Sequence, residues 1–228
     1  PRLNKIVNNV VKRNPDIDLY PAIPYAHTYA DALNRDGPLG AAFKISNGRL
    51  PSIKDISKII IRRDLTPLFE MLLRTELYEV PIGNLKIIFL NNIFTDLLVA
   101  WGDSRLAEAY CASVRKNFPH AKPGFMTMNL AKTVSLINQT SETPVICSII
   151  NPLGFRMNPS QKTVEDAVRC TNFEMWAMSP FASGANTAQQ FCNYLKENDL
   201  SFEGVIFGSS KLSRVENFLN VVEKDAIK

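Results

Sequence analysis

The segment Pro144–Asn151 (PVICSIIN) carries the pattern that decides the fold. Between its proline and its asparagine the side chains are almost continuously apolar, rather than alternating between apolar and polar. A run of this kind is typical of a strand buried on both faces, and such strands occur in parallel sheets covered by helices. The segment therefore predicts an inner strand of a parallel β-sheet.

Runs of the same kind recur along the chain, bounded by proline, glycine or asparagine. They are Asp18–Tyr25, Gly40–Ser46, Lys86–Asn91, Pro123–Asn129, Pro144–Asn151, Glu174–Pro180 and Gly204–Ser209. Between them, apolar residues repeat with the period of a helix at 3–11, 53–63, 65–78, 104–114, 160–169, 187–196 and 212–222. About seven β/α units in succession predict an α/β domain.

Two α/β architectures fit this pattern. A (β/α)8 barrel of the TIM type takes about 250 residues and has eight strands. The seven apolar runs would supply seven of them if one strand is missing before Pro1. A doubly wound open sheet is the alternative, but no GxGxxG motif follows the first run. We therefore expect residues 1–228 to form a single barrel domain lacking its first strand in this chain, with a long loop or a gap at Ser46–Ser52.

Composition narrows the class of protein and its partners. The 228 residues include 26 Lys and Arg against 22 Asp and Glu, a net charge of +4, and 46% are apolar. This excludes wholesale disorder, and so mild a charge predicts no nucleic-acid or membrane partner. The four cysteines are widely spaced without a CxxC motif, which predicts reduced thiols in a cytoplasmic protein. The sequence is compatible with a homo-oligomer and with a monomer.

Polar residues follow the apolar runs, and in βα barrels the C-terminal ends of strands carry the chemistry. His27, of a residue type that titrates near neutral pH, is a candidate general acid or base. Asn129 and Asn151 could hold a developing oxyanion, and Arg156 could clamp a carboxylate or phosphate. The alternative for each asparagine is that it ends a strand and caps the next helix. No HxH, HExxH or clustered Cys/His motif occurs, so no metal is expected.

The last two βα connections predict an anion site. Ser179–Ala185 (SPFASGA) and Gly208–Arg214 (GSSKLSR) each place small residues and hydroxyls between a strand and a helix. Small residues let backbone N–H groups approach an anion, and a helix N-terminus favours negative charge. The predicted phosphate or cofactor site consists of Ser179, Ser183, Gly184, Gly208, Ser209, Ser210, Lys211 and Arg214. Ordinary helix capping, with a capping box at Ser213 and Glu216, is the alternative.

Residues 174–222 resemble the C-terminal part of the aldo-keto reductases, through WAMSPFASG (176–184) and VIFGSSKLSRVENFLNVV (205–222). The resemblance implies a (β/α)8 barrel that reduces carbonyls with NADPH, whose adenosine phosphate would lie at Ser209, Ser210, Lys211 and Arg214. The family's catalytic order of Asp, Tyr, Lys and His is not found, because His27 precedes Lys44. The overall pattern also resembles uncharacterised prokaryotic proteins of aldolase-type barrel fold.

Three functions follow from these observations. The first is a barrel enzyme acting on a small phosphorylated or carboxylated metabolite, by carbonyl or enolate chemistry of the lyase or isomerase type. The second is an NADPH-dependent oxidoreductase of the aldo-keto type, and the third is a non-catalytic barrel subunit of an assembly. We favour the first, because polar groups converging over an apolar sheet are typical of small-molecule sites.

Overall fold

Six parallel strands form the sheet in the computed structural model, which describes residues 2–24 and 66–225. The strands are β1 (Ala22–Ile23), β2 (Ile87–Leu90), β3 (Lys122–Thr127), β4 (Val145–Ile149), β5 (Met175–Met178) and β6 (Gly204–Ile206). The helices are α1 (Arg2–Arg13), α2 (Thr66–Glu76), α3 (Asn92–Trp101), α4 (Ser104–Asn117), α5 (Leu130–Ile137), α6 (Gln161–Cys170), α7 (Ala188–Glu197) and α8 (Leu212–Asp225). No helix within these ranges is long and apolar enough to cross a membrane.

The prediction of a (β/α)8 barrel is wrong. The described residues form a six-stranded sheet in the order β1-β2-β3-β4-β5-β6, and its edge strands β1 and β6 are not paired with each other. The doubly wound alternative does not fit either, because the strand order never reverses. β1 pairs directly with β2, through Ala22 opposite Phe89, so no strand lies between them. The sequence predicted that Gly40–Ser46 would be a strand at this place. That run and the predicted helix at 53–63 both lie outside the described residues.

One face of the sheet is covered by helices. A parallel sheet wound in chain order with right-handed crossovers carries all its connecting helices on one side. On that side Tyr110 of α4 donates its hydroxyl to the Ile88 carbonyl at 2.7 Å, and its ring packs edge-on against Phe125 at 5.2 Å between centroids. The helix-covered face therefore holds one of the two cores, built on β2 and β3.

The opposite face of the sheet, which we call the concave face, is held by aromatic rings. Every second residue of each strand has its side chain on this face. These residues include Phe89, Met126, Cys147, Trp176, Met178 and Ile206. The ring of Tyr20, just before β1, lies 4.8 Å from that of Trp176 in β5. In a flat sheet these strands would be roughly 19 Å apart. The sheet therefore curls around Trp176 into a half-barrel.

Two glycines make room for these rings. A Cβ at Gly124 would lie 2.5 Å from the Phe89 ring, and a Cβ at Gly204 would lie 2.6 Å from the Trp176 ring. Neither distance is compatible with a real carbon–carbon contact. The absence of side chains at these two strand positions is thus what lets the concave face fill with aromatic rings.

Within the described residues the other elements largely match the sequence analysis. Six of the seven apolar runs contain strands. Helices α3 and α5 were not predicted; they begin directly after Asn91 and Asn129, whose side chains accept hydrogen bonds from Ile93 N–H and Lys132 N–H. At these two asparagines the capping alternative is confirmed.

We expect Gly204→Ala to lower the free energy of unfolding by about 1–3 kcal/mol, because the added methyl overlaps the Trp176 ring and forces the strand or the ring to move. Gly83→Ala is the matched control, since nothing lies within 4 Å of its Cβ position. Urea denaturation measures both variants. Equal stability of the two would contradict the close approach of Gly204 to Trp176.

A second expectation concerns the thiols. Cys111, Cys147 and Cys192 are buried, and burial strongly raises the pKa of the Cys111 and Cys147 thiols, whereas Cys170 is exposed. A thiol reagent should therefore label Cys170 alone in the native protein. Mass spectrometry of the labelled chain gives the number of labelled cysteines. The variant Cys170→Ser should abolish fast labelling. Fast labelling of Cys147 would show that β4 is not the inner strand described here.

Candidate functional site

A cavity of about 970 Å³ opens at the C-terminal ends of β5 and β6. Its floor is the upper part of the concave face, formed by Met126 of β3 and by the neighbouring Met178 of β5 and Ile206 of β6. One wall is the loop from β5 to α7, and the other is the turn from β6 into the first turns of α8. Ligands of open parallel sheets bind at this edge, beyond the carboxyl ends of the strands.

The β5–α7 loop has an unusual backbone. Ser179, Ala182 and Ser183 have φ angles of +59°, +43° and +62°, and Gly184 has +97°. Residues other than glycine rarely adopt positive φ, and such strain collects at ligand sites, where the surrounding structure holds it in place. Here Gly184 N–H donates to the Phe181 carbonyl at 2.7 Å, which closes the loop on itself.

Asn186 is a buried polar residue in this wall. Its Nδ2 donates to the Pro180 carbonyl at 3.3 Å, and no described residue donates to its Oδ1. Among the described residues, no buried side-chain oxygen or nitrogen lacks a partner, so Oδ1 must retain contact with open space. Asn186 lines the cavity and is only 9% exposed, so its side chain belongs to the wall rather than to the outer surface.

The two helices that start at the cavity differ in their free donors. At α7, Thr187 and Gln190 form a capping box in which each side chain accepts the backbone N–H of the other. At α8, Ser209 Oγ accepts only the Lys211 N–H, at 3.2 Å. Among residues 2–24 and 66–225, no group accepts a hydrogen bond from the N–H groups of Gly208, Ser209 or Ser210. Donors for an anion are therefore available at α8.

Arg214 supplies positive charge on the same side. It lies in the first turn of α8, is exposed and lines the cavity. Within the described part of the chain its guanidinium has no carboxylate partner. A cation with no carboxylate partner among the described residues, in the same cavity lining as Gly208 and Ser209, suits an anionic ligand.

Three phenyl rings hold the two walls together. Phe181 of the β5–α7 loop, Phe207 after β6 and Phe218 of α8 pack edge-on or tilted, with centroid separations of 5.2, 5.7 and 4.8 Å. Aromatic pairs at such distances are favourable in these orientations. The triad therefore couples the position of α8 to the strained loop across the cavity.

The structure brings together most of the residues predicted for the anion site. Six of them line the cavity: Ser179, Ser183, Gly184, Gly208, Ser209 and Arg214. Ser210 and Lys211 are exposed and their side chains do not line the cavity, although Ser210 directly follows the lining residue Ser209. The predicted capping box at Ser213 is wrong, since α8 begins at Leu212 and Ser213 lies inside its first turn.

The described residues that were predicted to be catalytic, Asn129, Asn151 and Arg156, do not line the cavity. His27 lies outside the described residues. Asn129 caps α5, with its Oδ1 3.5 Å from Lys132 N. Asn151 is fully buried, and its amide both accepts from and donates to the Phe155 backbone at 2.9 Å, so it shapes a loop. Arg156 is exposed, 5.2 Å from the centre of the Phe155 ring, and does not line the cavity.

Asp96 of α3 makes a polar network that the sequence did not indicate. Thr127 Oγ1 donates to its carboxylate at 2.6 Å, and Met128 N–H donates at 3.2 Å. Burial raises the pKa of Asp96, although these hydrogen bonds act in the opposite direction. Among the described residues, no group of three or more His, Cys, Asp and Glu could hold a metal ion. The hydrogen bonds of Asp96 link α3 to the end of β3 and to the residue that follows it.

Several lining residues were not found by sequence reasoning. They are Met126, Met178, Phe181, Asn186, Ile206, Phe207 and Asn217. Strand parity would have pointed to Met126, Met178 and Ile206, because they lie on the same face as Phe89 and Trp176. No local signal marks Asn186 or Asn217, whose position depends on how a loop and a helix fold back over the sheet.

No protein family, no curated protein and no solved structure matches this chain. The similarity of residues 174–222 to aldo-keto reductases therefore remains a resemblance of motifs. The geometry of the cavity is the stronger guide to function, because it is built from contacts within the chain itself.

The raised pKa of Asp96 predicts how its contribution to stability depends on pH. A carboxyl whose pKa is higher in the folded state than in the unfolded state contributes stability below its ordinary value of about 4, and this is lost as pH rises through the folded pKa. The stability of the protein relative to Asp96→Asn, which does not titrate, should therefore fall as the pH rises above about 4, the ordinary pKa of an aspartic acid.

Urea denaturation at each pH measures this difference. Thr127→Val removes a donor that lowers the pKa of Asp96, so in that background the fall should move to higher pH. A difference that is flat or rises with pH would contradict the assignment of burial as the dominant influence on Asp96.

Proposed function

We propose that the protein binds a small phosphorylated or carboxylated metabolite in this cavity, with the anionic group at the start of α8. The observation that carries the proposal is the set of N–H groups at Gly208, Ser209 and Ser210, which have no acceptor among the described residues. They precede a helix N-terminus, at the edge of a cavity large enough for an organic ligand.

The backbone contributes more to this proposed site than the side-chain charge. A helix N-terminus favours an anion by about 0.3–1 kcal/mol at exposed sites, and hydrogen bonds to charged groups contribute about 1.5–3 kcal/mol each. Arg214 is exposed, so its attraction for an anion is screened by water and salt. Loss of the backbone donors should therefore weaken binding more than loss of Arg214.

Ordinary capping alone is the competing explanation for the β6–α8 turn. The Ser209 hydroxyl accepts from Lys211 N–H and donates to the Lys211 carbonyl at 2.8 Å, as a capping hydroxyl does. This cap satisfies one donor, and the three preceding N–H groups have no acceptor in the part of the chain that the structure describes. Capping therefore accounts for the shape of the turn but not for its open donors.

The cavity accounts for binding of the metabolite. The sequence suggests lyase or isomerase chemistry as the reaction class for the bound metabolite. The acid or base named for that chemistry, His27, lies outside the described residues. The anion site is independent of that assignment, because its donors all belong to the β6–α8 turn.

An NADPH-dependent reductase is the second candidate. It is favoured by one observation: Arg214, to which the resemblance assigns the adenosine phosphate of the cofactor, lines the cavity. A guanidinium suits a phosphate monoester, which NADPH carries and NADH lacks. Preference for NADPH over NADH would therefore separate this candidate from the first.

Gly208→Leu should weaken binding of inorganic phosphate by about tenfold or more while leaving stability unchanged. Nothing lies within 4 Å of a Cβ at Gly208, which lines the cavity, so the new side chain has room in the fold and takes up space at the start of α8. Gly83→Leu, at another open glycine remote from the cavity, is the matched control. Calorimetric titration with phosphate, NADPH and NADH, together with thermal unfolding, makes the measurement.

Arg214→Ala, titrated in the same way, should weaken phosphate binding only a few-fold, and under the second candidate it should remove the preference for NADPH over NADH. Unchanged phosphate affinity in Gly208→Leu would refute the anion site. If none of the three ligands binds the unmodified protein, the non-catalytic subunit becomes the leading interpretation.

A further inference from the structure

The apolar and the polar residues that line the cavity lie in different parts of it. Its floor, formed by Met126, Met178 and Ile206, has no hydrogen-bonding group stronger than a thioether. The rings of Phe181 and Phe207, which pack against each other at 5.2 Å between centroids, add to this apolar lining. A hydroxylated ligand body lying here would lose its hydrogen bonds to water without replacement, which is unfavourable.

The polar groups lie elsewhere around the cavity. The free N–H groups and Arg214 lie on the α8 side, and the Oδ1 of Asn186 lies on the β5–α7 wall. One side of the cavity thus suits a negative charge, whereas the floor suits an apolar surface. A phosphate or carboxylate group alone would occupy only a small part of about 970 Å³.

The methionines at the floor indicate the kind of apolar surface that fits. Strands favour β-branched and aromatic residues, yet β3 and β5 present Met126 and Met178 at the cavity. Methionine is unbranched, adapts to irregular shapes and makes favourable contacts between its sulfur and aromatic rings. Such a floor, flanked by two phenyl rings, suits a flat aromatic group.

We propose that the ligand of this cavity is an aromatic organic anion, a phosphate monoester or carboxylate whose ring lies on Met126 and Met178 while its charge binds at the start of α8. This inference rests on the proposed function, because it takes the anion site as the fixed end of the ligand. It goes further by naming the class of the ligand body, and it excludes small sugar phosphates as the preferred ligands.

The test compares two phosphate monoesters that share a charged group and differ in their bodies. Phenyl phosphate should bind the unmodified protein about tenfold or more tightly than glycerol phosphate, because only the phenyl ring gains by leaving water for the floor. Calorimetric titration gives both affinities. Met126→Gln should weaken phenyl phosphate binding and leave glycerol phosphate binding unchanged.

Met128→Gln is the matched control, since Met128 is equally half-buried but does not line the cavity. A second measurement does not depend on a variant. With isotopically labelled methionine methyl groups, phenyl phosphate should shift the Met126 and Met178 signals by its ring current. The signals of Met157 and Met175, buried away from the cavity lining, should not move.

Each outcome decides between the two proposals. Tighter binding of phenyl phosphate with shifts at Met126 and Met178 supports the inference. Equal affinities, tighter binding of glycerol phosphate, or shifts absent from both methyl groups overturn it and leave the anion site standing. If neither ester binds, the proposed function fails and this inference fails with it.

Discussion

The packing of Trp176 against Tyr20 and Phe89 is the interaction on which the rest of the structure depends. It joins β5 to the chain before β1 and to β2, across a face that the connecting helices do not cover. Helices on one side alone would leave that face open to water, which is unfavourable for so apolar a surface. Curling the sheet around the aromatic rings buries the face without a second layer of helices.

The same curl places the cavity. Trp176 and Met178 are two residues apart in β5, so they share a face, with the indole deeper in the half-barrel and the thioether nearer its C-terminal edge. Met126 of β3 and Ile206 of β6 lie on the same face of the sheet as Met178, and the three residues form the floor of the cavity. The aromatic packing that closes the lower part of the half-barrel therefore forms the base of the site above it.

The sequence predicted the strands well and the way they assemble poorly, for a physical reason. A continuous apolar run such as Pro144–Asn151 reports that a strand is buried on both faces, whatever covers those faces. It carries no information on how many strands share the sheet or whether its edges meet. That depends on close approaches such as Gly204 to Trp176 and on the direct pairing of β1 with β2, which join residues far apart in the chain.

The same distinction explains which parts of the candidate site could be predicted. Small residues after β5 and β6 indicate loops over which a ligand can lie. This could be predicted because small side chains in a few consecutive residues can be identified from the sequence alone. Asn151 was misassigned because its partner is the backbone at Phe155, and only the folded loop shows that its amide is already satisfied. The two helix starts were alike in sequence, yet the Thr187–Gln190 box occupies two backbone donors at α7, whereas the N–H groups of residues 208–210 have no acceptor among the described residues. Which backbone donors near a helix start remain available therefore depends on internal acceptors as well as on the residue types.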